Sequence, residues 1–99
     1  MSGLTCCDLN DFLAAMADET RQRILALLGE HEMSVSELSE HVAVSQPTVS
    51  HHLAILRRVH LVISRREGQY IFYQANLPCV AACCQEILDR FSVPRRVGR

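Results

Sequence analysis

The chain has five cysteines among its 99 residues, in two groups: Cys6 and Cys7 near the start, and Cys79, Cys83 and Cys84 near the end. The second group lies in LPCVAACC, residues 77–84, at the opening of a segment with helical spacing. Thiolates gathered in this way favour soft, thiophilic ions, and two of them can also form a disulfide or polysulfide bridge. On a helix Cys79 and Cys83 share one face, one turn apart, whereas Cys84 is rotated by about 100° from Cys83. Three sulfurs of this segment converge only after modest unwinding; in the other arrangement, two of them combine with Cys6 or Cys7. Cysteine is also a common buried small hydrophobe, and Cys84, in phase with Val80, Ile87 and Leu88, fits that packing role.

A second group of side chains points to different chemistry. Ser45, Gln46, Thr48, Ser50, His51 and His52 form a polar string, and Arg65 and Arg66, with Gly68 and Gln69, follow shortly after. Serine, glutamine, threonine and histidine at the start of a helix suit base-edge reading in the major groove, and the helix N-terminus itself favours phosphate. Arginines on a hairpin reach backbone phosphates or the minor groove. Taken singly, each residue also has a plainer role: Ser45 as a helix cap, Gln46 and Thr48 as solvated polar groups, and the adjacent histidines as surface residues.

The elements that must position these groups follow from periodicity. Leu9, Phe12, Leu13, Met16 and Ala17 recur at steps of three and four, which predicts a short amphipathic helix capped by Asp8. A second helix starts near Asp18 and runs through Ile24, Leu25, Leu27 and Leu28 until Gly29 ends it. SVSELSEHV predicts a third, with Ser34 or Ser36 as cap and Leu38 and Val42 inward. After a turn of Ala43, Val44 and Ser45, a fourth helix with Pro47 in its first turn runs to about Val59. Val49, Leu53 and Leu56 face inward from it. Leu61–Arg65 and Tyr70–Gln74 read as a β-hairpin about a turn containing Gly68. Asn76 and Pro78 open a fifth helix that extends to about Phe91 through Val80, Cys84, Ile87, Leu88 and Phe91. The fold class expected is mainly α with a β-hairpin wing, in the order helix-helix-helix-helix-strand-strand-helix: a winged helix-turn-helix.

VSQPTVSHHLAILRRVHLVISRREGQYIFYQ, residues 44–74, resembles the recognition helix and wing of the ArsR/SmtB family of bacterial repressors, and LAAMADETRQRILALL, residues 13–28, is similar to the family's preceding helices. The resemblance covers about residues 10 to 90. It implies a homodimer that binds double-stranded operator DNA and releases it when a metal or other inducer binds. By position it puts Ser45, Gln46, Thr48, Ser50, His51 and His52 at the major groove, and Arg66, Gly68 and Gln69 at the wing tip. Ala43 stands where such sequences often have glycine. The first and fifth helices carry apolar faces larger than a three-helix core needs, and a two-fold operator requires such a seam; both also simply cover the core.

The family's arsenic motif, E-L-C-V-C-D-L, aligns with Glu32-Met33-Ser34-Val35-Ser36-Glu37-Leu38, so serine occupies both thiol positions. No histidine lies beyond His60, so the family's Asp/His zinc site on the fifth helix is absent as well. The candidate metal ligands are therefore Cys6, Cys7, Cys83, Cys84 and Cys79, with Cys83 and Cys84 ahead of Cys79. The resemblance implies As(III) or Sb(III), held by three thiolates, as inducer, with cadmium, lead or mercury as other options and no permanent cofactor. A redox- or persulfide-sensing repressor of the same fold is the alternative.

Composition sets the outer limits. The chain is 48% hydrophobic and 21% charged, as in an ordinary globular domain, and its length suits one core. Residues 9–91 are expected to form that domain, between a flexible segment over 1–8 and a basic tail over 92–99. All ten basic residues are arginine; residues 1–45 carry a net charge of −6 and residues 46–99 a net +5. The start has no signal-like stretch and no run approaches a bilayer span, so a cytoplasmic location with reduced thiols is expected. C-x-x-C at a helix start and a βαβ pattern are both missing, which argues against a thiol oxidoreductase, and the family resemblance implies that the chain is not an enzyme.

Overall fold

Helix caps divide the chain where the sequence places them. In the computed structural model, which describes residue 6 and residues 8–91, α1 spans Leu9–Met16, α2 Glu19–Glu30, α3 Val35–Val42, α4 Gln46–Arg58, β1 Val62–Glu67, β2 Tyr70–Ala75 and α5 Leu77–Arg90. Cys7, the tail over 92–99 and most of the segment over 1–8 lie outside the described residues. Asp8 and Asp18 cap α1 and α2, their carboxylates accepting from the backbone N–H of Asp11 (2.8 Å) and Arg21 (3.0 Å). Ser34 caps α3 in a reciprocal box: the Ser34 N–H donates to Glu37 Oε1 (2.9 Å), and the Glu37 N–H to Ser34 Oγ (3.2 Å).

The core lies where α2, α3, α4 and the hairpin base meet. Ile24, Leu28, Leu38, Val49, Leu53, Leu56, Leu61 and Val62 are fully buried there, with Cys79 and Cys83 closing it from α5. The wing is a two-stranded antiparallel ribbon registered from Val62 opposite Ala75 to Glu67 opposite Tyr70. Gly68, with φ +64°, opens its two-residue loop, the position where a primed turn needs a left-handed residue. The α2–α3 connection adds a short third edge: Met33 and Tyr73 exchange both backbone hydrogen bonds, at 3.1 and 2.9 Å.

Several expectations need correction. Gly29 does not end α2; the helix continues to Glu30, and the Leu77 side chain packs over the glycine, 3.7 Å from where a Cβ would lie. Leu61 belongs to no strand. It completes a C-terminal cap on α4, its N–H donating to the Leu56 carbonyl (2.9 Å) while His60 N–H donates to Arg57 (3.0 Å). That cap requires His60 to hold φ +67°. Asn76 sits at the N-cap of α5 without capping it; its Nδ2 donates instead to the His60 carbonyl, 3.0 Å away. In α1 the buried residues are Leu9, Phe12 and Ala15, and Leu13 points outward at 47% exposure. The inward stripe of α5 runs through Cys79 and Cys83 with half-buried Val80 and Ile87, whereas Cys84, Leu88 and Phe91 face out. The expected packing role of Cys84 therefore passes to Cys83, one residue earlier in helical phase.

Candidate nucleic-acid interface and thiol site

Ala43, at φ +57°, makes the turn that separates α3 from α4. Ser45 then caps α4, accepting from the Thr48 N–H at 3.3 Å and sharing a 2.9 Å hydrogen bond with the Thr48 hydroxyl. With these hydroxyls fixed, Gln46, Pro47, Thr48, Ser50 and His51 form the exposed start of the helix. Nothing acidic lies in this first turn, so the positive end of the helix dipole faces outward uncompensated.

His52 departs from the expected set. It lies three residues after Val49 and four before Leu56, on the stripe that faces the core, and is half-buried with Nδ1 3.2 Å from Arg21 Nη1. Its ring is turned toward α2 and away from the surface that Gln46 and His51 share.

The wing separates its two arginines in a similar way, because neighbouring strand residues point to opposite faces. Arg65 is held within the protein: Nε and Nη2 donate to the two Glu32 oxygens at 2.7 and 2.9 Å, and Nη1 donates to Glu67 Oε1 at 2.9 Å. Its guanidinium also lies 5.0 Å over the Phe72 ring. These hydrogen bonds raise the Arg65 pKa above its ordinary value and hold the Glu32 carboxyl below its own. Arg65 thus forms a clamp between the wing and the α2–α3 connection. Arg66, on the opposite face, is exposed beside the Gly68–Gln69 turn, whereas Tyr70, paired with Glu67, is 60% exposed on the Arg65 face.

A groove of about 380 Å³ between wing and helices is lined by Ser34, Ser36, Ser50, Gln69 and Tyr70 among others. Ser34 and Ser36 hold the frame of the arsenic motif without thiols, and Ser34 is engaged in its capping box.

The thiols meet elsewhere. Cys6, just before α1, and Cys79, in the first turn of α5, form a disulfide with Cα atoms 5.4 Å apart. The disulfide thus engages Cys79, placed behind Cys83 and Cys84 among the candidate ligands. Cys83 is buried one turn further along the same face, and Cys84 is exposed on another. Among the described residues no group of three or more His, Cys, Asp or Glu side chains is placed to hold a metal ion. The reduced state expected from a cytoplasmic location is likewise not the state seen.

The pattern gave no site role to Arg21 or Glu32. Arg21 left one signal, since it falls three residues before Ile24 and four before Leu25, on the apolar stripe of α2. Glu32 acts on a residue far along the chain and left none.

Turn, recognition helix and wing together define a winged helix-turn-helix DNA-binding protein. Comparison with known proteins agrees. The chain matches the bacterial regulatory protein arsR family over residues 18–64. It is 38% identical over 68 residues to the transcriptional repressor SdpR of Bacillus subtilis, covering 69% of this chain and 76% of SdpR. It is 51% identical over 78 residues to the transcriptional activator HlyU of Vibrio cholerae, covering 79% and 71%. The arsenical resistance operon repressor of Escherichia coli is 39% identical over 75 residues, covering 75% and 63%. Among solved structures, an ArsR-like transcriptional regulator from Rhodococcus sp. RHA1 superposes with a TM-score of 0.76 at 33% identity, covering 85% of this chain and 78% of that one. The chain belongs to the ArsR/SmtB family of bacterial transcriptional repressors; it is a regulator of transcription and not an enzyme.

Proposed function

We propose that this protein represses transcription as a homodimer on operator DNA and that the chemistry of the Cys6/Cys79 pair governs its release. Gln46, Thr48, Ser50 and His51 read base edges, with Ser45 shaping the helix start, while Arg66, Gly68 and Gln69 engage the backbone or the minor groove. The dimer seam is the outer face of α1 and α5, where Leu13, Leu88 and Phe91 are 47, 37 and 72% exposed.

The observation that carries the thiol reading is the Cys6–Cys79 disulfide. It ties the residue before α1 to the start of α5, across the two helices of the seam. In a cell interior that keeps thiols reduced, disulfides are mostly transient and redox-sensing. With a peroxide as oxidant, the two thiols give up two protons and two electrons, the sulfurs bond, and hydrogen peroxide leaves as two waters. Fastening α1 to α5 alters the spacing of the two recognition helices, which two half-sites about 34 Å apart make critical.

A second reading rests on Cys83. Once the disulfide is reduced, Cys6 and Cys79 offer two thiolates with Cys83 one turn away, a donor set suited to As(III) or Sb(III); an arsenical resistance repressor is among the relatives. Operator binding of the reduced protein, measured with and without peroxide, arsenite or antimonite, separates the two. Release by peroxide that is lost in Cys6→Ser and Cys79→Ser but kept in Cys83→Ser is the expected result. Release by arsenite that needs Cys83, without a peroxide response, would replace the redox reading with the metalloid one.

A further inference from the structure

We propose that Arg21 is a positioning residue for operator reading, acting through His52 to set the rotation of the recognition helix. Three groups of Arg21 are engaged at once. Its backbone N–H donates to Asp18 Oδ1 at 3.0 Å, its Nε donates to the Ala15 carbonyl at 2.6 Å, and its Nη1 lies 3.2 Å from His52 Nδ1. The Ala15 carbonyl belongs to the last turn of α1, where carbonyls have no helical partner and where α1 carries no basic residue of its own. Gln22 Nε2 holds the adjacent Met16 carbonyl at 2.7 Å. One guanidinium therefore links the end of α1 to the second turn of α4.

The chemistry of the link fixes its polarity. A guanidinium only donates, so in this contact His52 Nδ1 accepts and Nε2 is left as the protonated ring nitrogen. The charged and titratable groups around this ring are Arg21 and Asp18 from the α1–α2 corner and His51 from its own helix, whose ring centroid is 5.9 Å away.

His52 lies one turn beyond Thr48, between exposed His51 and buried Leu53. Holding its ring therefore holds the direction in which Gln46, Thr48, Ser50 and His51 project. Arg21 is half-buried on α2 and is not part of the exposed polar surface, so its contribution is to orientation.

The test compares operator DNA with a scrambled duplex of equal length across a salt series. Arg21→Ala and His52→Ala are each expected to weaken operator binding by about tenfold, the scale of a hydrogen bond to a charged group. Binding to the scrambled duplex and the salt slope stay as in the wild type, because no phosphate contact is removed. The double variant is no weaker than either single one. His52→Asn, which keeps an acceptor near the Nδ1 position, restores most of the affinity. Imidazole nitrogen NMR of the wild type, which needs no variant to fold, is expected to show the Nε2–H tautomer for His52.

Additive losses, a lowered salt slope for Arg21→Ala, or an Nδ1–H tautomer would each overturn the assignment. The inference rests on α4 being the reading helix. A wild type that fails to prefer its operator refutes that reading, whereas variants that keep the full preference refute the positioning role alone.

Discussion

Ala43 and His60 are the two non-glycine residues among those described that hold a left-handed backbone, at φ +57° and +67°. Each terminates a helix that matters to DNA reading, since Ala43 makes the turn into α4 and His60 closes its far end. A side chain in this conformation is disfavoured by roughly 1–2 kcal/mol. Ala43→Gly is therefore expected to raise stability by about 1 kcal/mol, read as a higher urea midpoint at unchanged slope. Ala43→Val should lower it. The sequence marked Ala43 as the site of an unusual turn but left His60 unmarked, because the cap at His60 depends on Leu56 and Leu61 meeting in the core. Helical phase also carried more information than residue chemistry suggested. Arg21 and His52 both fall on apolar stripes, and the polarity of His52 pointed to the surface when its position pointed inward. The same phase distinguishes Cys83 from Cys84, but only once the partner of α5 is known.

The wing shows how an element legible in sequence acquires parts that are not. Alternating β-rich segments about Gly68 foretold the hairpin and its turn. They did not foretell the pairing of Met33 with Tyr73 or of Glu32 with Arg65, contacts between residues more than thirty positions apart with no local signature. Two nominally equivalent arginines consequently differ in effect. Arg66→Ala is expected to weaken binding to all DNA sequences alike and to lower the salt slope by about 1, in operator titrations over a salt series. The Glu32–Arg65 clamp should show itself through pH. Its carboxyl is held low by the Arg65 hydrogen bonds, so the stabilisation is present above the ordinary carboxylate range and is lost as pH falls through the depressed value. Glu32→Gln should thus be less stable than wild type at about pH 7, and the difference should shrink as pH falls through the depressed Glu32 value, as followed by denaturant unfolding. Because both partners are exposed, the effect at neutral pH should be small.

At the scale of the molecule, α1 and α5 leave an outer face that the described chain does not cover, with Phe91 and Leu13 among its exposed large apolar residues. Leu13→Glu combined with Phe91→Glu is expected to give a monomer in sedimentation and to weaken operator binding by about 100-fold, since two linked reading heads become one. Sequence periodicity indicated that these helices had apolar surface to spare, and it placed Leu13 and Phe91 on them. Which part faces inward could not be read, because α1 and α5 cover each other and the phase of one is set by the other. The disulfide between Cys6 and Cys79 has a further consequence, arising from its span of 73 residues. It closes nearly the whole described chain into a ring. In the chain-entropy account, a ring of that size disfavours the unfolded state by roughly 4 kcal/mol. Breaking the bond restores that freedom and raises the unfolded fraction by about a thousandfold. Proteases act on that fraction, so the oxidation state of one thiol pair also sets how long each copy of the protein survives in the cell.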